Sequence, residues 1–294
     1  MEDSIKYCGI CPRGCRVDRG SGAAGVCGGG SLPRVSRYGL HHGEEPCLSG
    51  TRGSGTVFFS GCSLRCVFCQ NHHISQQVSG REYQTHELAD IFLELQSSGA
   101  HNLNLVTATH FAPSVIEALT IARQVGFRLP VVYNSSGYES LETLRSLSGQ
   151  VDVYLPDLKY YYPESSLRYS SASDYFEHAA KAVLEMYRQV GPLSVDKSGI
   201  AVRGLIIRHL LLPGHLEESK RIIDWIADNL YPGVWVSLMS QYTPVHLARK
   251  YPEINRTVTL DEYEQLLDHF LERGWDTAFI QEHSSASRRY IPTF

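Results

Sequence analysis

The strongest constraint on the fold is a repeated alternation of short apolar segments with amphipathic ones, from Thr56 to the end of the chain. The apolar segments are rich in β-branched and aromatic residues and apolar on both faces, which is typical of buried parallel strands. The predicted strands are residues 56–60, 103–107, 130–134, 151–156, 204–212, 234–239 and 277–281. The predicted helices are residues 86–98, 114–125, 140–148, 174–190, 216–229 and 261–273.

Strands and helices that alternate six or more times predict an α/β fold with a parallel sheet, either a barrel or a doubly wound sheet. In such folds the functional side chains gather at the carboxyl ends of the strands. Polar residues follow or end five of the predicted strands, so we expect a ring of polar groups at that end of the sheet. The segments are Thr107-Ala108-Thr109-His110, Asn134-Ser135-Ser136-Gly137, Asp157-Leu158-Lys159, Arg208-His209 and Ser240-Gln241-Tyr242.

Three cysteines, Cys62, Cys66 and Cys69, follow the first of these strands with the spacing C-x3-C-x2-C. A tight loop at the end of a strand can point three thiols at one centre. Closed zinc sites and closed iron–sulfur cubes take four protein ligands, so three thiolates indicate a cube with one open iron. The alternatives are a disulfide cluster, or a zinc site completed by His72 or His73.

The first 55 residues form a glycine-rich extension with four cysteines at the spacing C-x2-C-x3-C-x11-C. Almost nothing in it is periodic, so hydrophobic burial alone would not fold it. Four thiolates around a metal would supply that stability, and the metal could be zinc or a second iron–sulfur cluster. Without a metal, residues 1–55 would be a flexible lead into a second domain, residues 56–294. The four cysteines are Cys8, Cys11, Cys15 and Cys27.

The totals exclude several classes of protein. The net charge is -4 and no basic block occurs, which argues against nucleic acid as a partner. No apolar run reaches the roughly 20 residues of a membrane helix, and no signal peptide is expected at the acidic N-terminus. All eight cysteines lie within the first 69 residues, which favours metal binding in a reducing cytoplasm over structural disulfides.

The cysteine loop, with Phe68 before its last cysteine, resembles the signature loop of the radical S-adenosylmethionine (SAM) superfamily. Further segments resemble the branch of that superfamily typified by the pyruvate formate-lyase activating enzyme. The resemblance implies a partial (β/α)6 barrel with the N-terminal cysteine-rich extension attached. The similar segments are 53–71, 152–160, 208–214 and the Cys8-Gly9-Ile10-Cys11-Pro12-Arg13-Gly14-Cys15 run.

The resemblance also implies site residues. Cys62, Cys66 and Cys69 would hold a [4Fe–4S] cluster whose open iron binds SAM. Asp157, Lys159 and Arg208 would lie around the methionine part of SAM, with Lys159 suited to its carboxylate. Asn134 and Ser136 would contact the ribose. The Gly-Gly-Glu stretch that meets the SAM amine in activating enzymes is replaced by Thr107-Ala108-Thr109, whose threonines could offer an oxygen.

The activity implied is reductive cleavage of SAM, with an electron from a flavodoxin or ferredoxin, to a 5′-deoxyadenosyl radical that takes hydrogen from a substrate. No acid–base residue is required for that step. The first hypothesis for the substrate is a backbone glycine of a glycyl-radical enzyme. The second is another protein, a peptide or a small molecule. A third hypothesis, from a different class, is a non-catalytic iron–sulfur or zinc protein that binds a partner.

Overall fold

A computed structural model describes residues 8–275 and 278–280. The predicted strands are present to within three residues at each end, and residues 277 and 281 of the last one lie outside the described part. The described strands are β1 (Arg34–His41), β2 (Ser54–Phe59), β3 (Arg81–Glu82), β4 (Leu103–Val106), β5 (Val131–Ser135), β6 (Val153–Pro156), β7 (Ser194–Val195), β8 (Ala201–Leu210), β9 (Trp235–Met239) and β10 (Ala278–Ile280).

The six predicted helices are also present, to within two residues at each end, as α3, α4, α5, α7, α8 and α9. Helix α9 begins at a capping box, in which Thr259 and Glu262 each bond the other's backbone N–H. The described α-helices are α1 (Pro46–Ser49), α2 (His72–Ser75), α3 (Thr85–Ser97), α4 (Ala112–Gln124), α5 (Leu141–Ser146), α6 (Pro163–Ser170), α7 (Tyr175–Val190), α8 (Leu216–Leu230) and α9 (Leu260–Glu272).

One sheet runs through the described residues in the order β10-β9-β8-β6-β5-β4-β2-β1-β3, with β7 beside β8. The strands from β2 to β10 along this order are parallel, whereas β1 and β3 are antiparallel additions beyond β2. Six parallel strands are each followed by a helix before β10. The described strands do not close into a ring, so the predicted partial (β/α)6 barrel is confirmed.

The two faces of the sheet pack against different partners. Tyr133 and Tyr154 belong to the core that the sheet shares with the helices. Their strand neighbours Val132 and Val153 point to the other face and pack with Cys47 of α1. We call this second face, which does not carry helices α3 to α9, the inner face. Cys47 is therefore a packing residue, and burial raises the pKa of its thiol to about 12.

The N-terminal extension contributes to both the edge and the inner face of the sheet. Strand β1 pairs with β2 from Val35 opposite Phe59 to His41 opposite Ser54. Helix α1 then seats Cys47 and the fully buried Leu48 against the inner face. The division into domains 1–55 and 56–294 stays a prediction, and within the first of these, residues 34–41 form a strand of the sheet and residues 46–49 pack on its inner face. No described helix has the length and apolarity needed to cross a bilayer.

Candidate active site at the carboxyl ends of the strands

The cysteine loop leaves the carboxyl end of β2 and is anchored at both of its ends. The Ser60 hydroxyl donates to the carbonyl of Ile74 (3.0 Å), and the Ser60 carbonyl accepts a hydrogen bond from His110 Nε2 (2.8 Å). Phe68 is buried within a group of tyrosines, with its ring 5.6 Å from that of Tyr242. The aromatic residue before the last cysteine thus serves to fix the loop against the strand ends.

The three thiols of this loop line one cavity of about 260 Å³. The Leu64 amide donates to Cys62 Sγ (3.4 Å), and the Ser75 hydroxyl donates to Cys69 Sγ (3.2 Å). Burial, with a further contribution from the nearby Cys66, raises the pKa of Cys62 to about 11 and that of Cys69 to about 12. Without metal the thiols of Cys62 and Cys69 hold their protons at neutral pH, so metal binding to these two residues releases protons.

The arrangement fits an iron–sulfur cube better than the alternatives. All eight cysteines are free thiols, so the disulfide alternative is not realised. The zinc alternative needs a fourth ligand, and neither His72 nor His73 is among the residues that line the cavity with the three thiols. A cube attaches each thiolate to a different iron atom, so three thiolates leave its fourth iron open.

A lysine and an aspartate lie across the same cavity from the thiols. Lys159 Nζ is 2.6 Å from Asp157 Oδ2. Burial alone would lower the pKa of Lys159, but the charges of Asp157 and Cys66 outweigh it and leave this pKa raised. Lys159 therefore stays cationic beside the cluster loop, where it can bind a carboxylate.

The loop after β5 is held against the loop after β6 by one tyrosine and one glycine. The Tyr175 hydroxyl accepts a hydrogen bond from the Lys159 backbone N–H (3.0 Å). The same hydroxyl is within donating distance of two backbone carbonyls, Ser136 at 2.9 Å and Asp157 at 3.0 Å. Gly137 has φ +75°, and a Cβ there would lie 2.3 Å from the Asp157 carbonyl. This contact lets Asn134 and Ser136 line the cavity beside Asp157.

The two threonines after β4 have different surroundings. Thr107 lines the cavity and has φ +59°, a conformation that is strained for a β-branched residue. Thr109 does not line the cavity, and its hydroxyl donates to the buried carboxyl of Glu139 (2.6 Å). Burial raises the pKa of Glu139 to about 7. The structure therefore brings Thr107 to the predicted site and leaves Thr109 outside the cavity.

Arg208 lines the cavity, but its guanidinium is already paired. It donates to both carboxylate oxygens of Glu45, at 2.8 and 2.6 Å, and also to Glu44. Burial opposes ionisation of Glu45, and the charge of Arg208 outweighs it, so the pKa of Glu45 is lowered. These three residues form a buried charged group, which we call the Arg208 triad. Its position on the inner face, near α1, makes it the floor of the cavity.

Sequence reasoning did not find Glu44 as a cavity residue. An acidic pair before a proline has the composition of an exposed turn, and only the contact with β8 distinguishes it. The sequence hypothesis requires no acid–base residue and assigns no such role to His110 or His209. Both are buried, with a ring nitrogen of His110 on the Ser60 carbonyl and one of His209 on the Leu158 carbonyl (2.7 Å). Burial lowers the pKa of His110 to about 4.

Comparison with known proteins identifies the class. The family model of the Radical SAM superfamily matches residues 56–226, more than half of the chain. The chain belongs to this superfamily, as predicted. Membership implies a [4Fe–4S] cluster, SAM and radical chemistry, and the three thiols and Lys159 described above fit these groups.

The chain is similar to two proteins of the archaeon Methanocaldococcus jannaschii. The uncharacterized protein MJ0674 is 34% identical over 90% of this chain and 74% of its own length. The uncharacterized protein MJ0808 is 24% identical over 95% of this chain and 82% of its own length.

Solved structures share the fold. Streptococcus suis SuiB bound to the precursor peptide SuiA superposes with a TM-score of 0.50 at 13% identity, over 75% of this chain and 46% of SuiB. A domain of the pyruvate-formate lyase-activating enzyme from Bacteroides vulgatus has a TM-score of 0.42 at 15% identity, over 58% of this chain and 92% of the domain. At these identities the SuiB superposition supports the radical SAM fold and nothing narrower.

Proposed function

We propose that this protein is an activase that removes a hydrogen atom from a backbone glycine of a glycyl-radical enzyme. The observation that carries the radical chemistry is the convergence of three thiols and the Asp157–Lys159 pair on one cavity. The choice of substrate is supported by the motifs that resemble the activating-enzyme branch, at 53–71, 152–160 and 208–214. When bound, the cluster and SAM supply a 5′-deoxyadenosyl radical.

The residues of the cavity would divide the work as follows. Cys62, Cys66 and Cys69 would hold the cluster, and Lys159 would bind the SAM carboxylate through a charge-assisted hydrogen bond. Asn134 and Ser136 would bind the ribose. The apolar cavity residues would exclude water from the reacting centre, as radical chemistry requires; they include Phe58, Phe59, Leu64 and Leu210.

The electron would come from a flavodoxin or ferredoxin, one electron for each SAM cleaved. The protein would need no proton transfer for that step, which agrees with the buried positions of His110 and His209. Burial of the cysteine loop favours a low reduction potential, because an anionic cluster that is poorly solvated resists further negative charge.

The test of the radical chemistry is Cys66→Ala, with Cys47→Ala as its matched control. Both remove one buried thiol, but Cys47 only packs against the inner face. After anaerobic reconstitution and addition of SAM and dithionite, we expect the wild type and Cys47→Ala to release 5′-deoxyadenosine and Cys66→Ala to release none. Equal release from the two variants would contradict the proposal.

The test of the substrate is a glycyl radical on a partner protein. The reconstituted enzyme is incubated with SAM, dithionite and a glycyl-radical enzyme encoded near its gene, and the partner is examined by electron paramagnetic resonance. We expect a doublet that is absent when the acceptor glycine of the partner is replaced by alanine. SAM cleavage with no partner radical would reject the activase and retain the radical enzyme.

A second candidate is modification of another protein, a peptide or a small molecule. The observation that favours it is the replacement of Gly-Gly-Glu by Thr107-Ala108-Thr109, with Thr109 turned to Glu139 instead of the cavity. SuiB, which shares the fold, carries a bound precursor peptide. A non-catalytic partner-binding protein, the third hypothesis, predicts no 5′-deoxyadenosine release from any preparation.

A further inference from the structure

The N-terminal cysteines are brought together on the outside of the cysteine loop. The segment folds back on itself through the pairs Cys8 N to Val17 O (3.1 Å) and Arg16 N to Cys8 O (2.9 Å). Cys8, Cys11 and Cys27 are buried, and Cys15 is half-buried. A Cβ at Gly25, two residues before Cys27, would lie only 3.0 Å from Cys15 Sγ. The structure therefore places four thiols in one small region.

Donors surround these sulfurs as they surround the sulfurs of the active site. The Val26 amide lies 3.4 Å from Cys15 Sγ, and the Gly29 amide lies 3.4 Å from Cys27 Sγ. The buried guanidinium of Arg19 is also 3.4 Å from Cys27 Sγ. Donors at this range stabilise a thiolate more than a neutral thiol, so they favour a metal-bound form. At the active site, Leu64 donates to Cys62 at the same distance.

Four thiolates complete the ligand set of a closed iron–sulfur cube, as they also do that of a structural zinc ion. The two metals differ in what they can do, because zinc has no redox chemistry, whereas a cube can accept one electron and give it back. A set of four cysteines beside a cluster that has to be reduced therefore favours a cube.

The second cysteine set touches the first through the backbone. Gly61, next to Cys62, has φ +91°, and a Cβ there would lie only 2.3 Å from the carbonyl oxygen of Cys27. Arg65 donates to the carbonyl of Val26 (3.1 Å), so a side chain of the cysteine loop also binds the residue before Cys27. The route from Cys27 to Cys62 thus consists of covalent bonds and one contact between backbones. Meanwhile Gly14 and Arg16, on either side of Cys15, are exposed to solvent.

We infer that Cys8, Cys11, Cys15 and Cys27 hold a second iron–sulfur cluster that relays the electron for SAM cleavage. It would accept one electron from a flavodoxin or ferredoxin near Cys15 and pass it to the cluster at Cys62, Cys66 and Cys69. The relay returns to its oxidised state each time, and no bond or proton changes in it. This inference rests on the proposed radical SAM function, and it adds a second metal site and a direction of electron entry.

The first test counts metal in the reconstituted full-length protein. The wild type is expected to bind about twice the iron and sulfide of Cys11→Ala, since each cube holds four irons, while Cys47→Ala matches the wild type. Mössbauer spectra of the wild type alone should contain two cubes, one with a distinct iron that shifts on adding SAM. One cube in the wild type, or one zinc per chain, would overturn the inference even if Cys11→Ala does not fold.

The second test separates the relay from the activity. Dithionite is small and can reduce the active-site cluster directly, whereas a donor protein must enter through the N-terminal region. In Cys27→Ala, the ratio of flavodoxin-driven to dithionite-driven 5′-deoxyadenosine release should fall by about tenfold, or roughly 1.4 kcal/mol of barrier. An unchanged ratio would reject the relay. Failure of dithionite-driven cleavage in the wild type would instead reject the proposed function.

Discussion

The Arg208 triad gives the sharpest test of the cavity floor. Replacing Arg208 with alanine leaves the carboxylates of Glu44 and Glu45, 7% and 5% exposed, without their cation. Removing one partner of a buried ion pair costs about 3–5 kcal/mol, because the remaining charge is not solvated. We expect a loss at the upper end, because two carboxylates lose the same partner. For a chain of 294 residues the range of 3–5 kcal/mol corresponds to roughly 5–8 °C in melting temperature, and its upper end to about 8 °C.

The pH dependence of the stability loss in Arg208→Ala tests whether unpaired buried carboxylates cause it. In the wild type the pKa of Glu45 is lowered, so its contribution to stability is present above its unfolded pKa and lost as the pH falls through its folded pKa. In Arg208→Ala the strongest influence that lowers this pKa is gone, and burial, which raises it, is opposed only by the hydrogen bonds to Glu45 from the backbone and from Ser237. The pKa of Glu45 therefore rises, so falling pH neutralises the carboxylate and removes the penalty. The difference in free energy of unfolding between the two proteins should therefore shrink from pH 8 to pH 5.

The assay is urea unfolding of anaerobically purified protein, followed by circular dichroism at several pH values. Lys181→Ala is the control, since its ion pair with Glu177 is exposed to solvent, which screens it. If Arg208→Ala unfolds at the same urea concentration as Lys181→Ala, or if its deficit does not change with pH, then the triad is not a buried charged group.

Three further outcomes are expected. Lys159→Gln should weaken SAM binding by about 1.5–3 kcal/mol, or roughly 10- to 100-fold in equilibrium dialysis, with Lys181→Gln unchanged. Thr107→Gly should raise the free energy of unfolding by about 1 kcal/mol, because φ +59° is unstrained for glycine; a loss of stability would refute the strain. The folded pKa of Glu139, about 7, exceeds its unfolded value, so the wild type should lose up to about 3 kcal/mol of stability as the pH rises from 4.5 to 7. Glu139→Gln should remove this loss. The same difference in urea midpoint between the two proteins at pH 5 and at pH 8 would contradict this.

The strands and helices of the barrel could be predicted because buried segments are recognisable in the sequence as short apolar runs or as amphipathic repeats. β2, for example, is buried along its whole length and reads as one apolar run with small residues. β1 escaped prediction because most of its residues are at least partly exposed, so that polar residues mask its pairing with β2. Its place in the sheet follows from a contact between segments, which no local pattern encodes.

The polar ring was predicted in the same way, from strand ends, and each of its five segments contributes at least one residue to the cavity. Thr109 does not line the cavity, because β4 ends at Val106 and the left-handed conformation of Thr107 turns the chain before it. Glu44 was out of reach for a different reason. A buried carboxylate is tolerable only beside its cation, and that cation lies on β8, more than 160 residues away.

The pairing of β1 with β2 also bears on how the protein can be handled. Without residues 34–41, the hydrogen-bonding edge of β2 would face solvent along a six-residue strand that is buried throughout. An unprotected apolar edge of this kind is a template for pairing with another chain. A barrel expressed from residue 56 onward is thus expected to self-associate. When N-terminal segments are exchanged between relatives, the register of β1 against β2 has to be preserved to keep this edge covered.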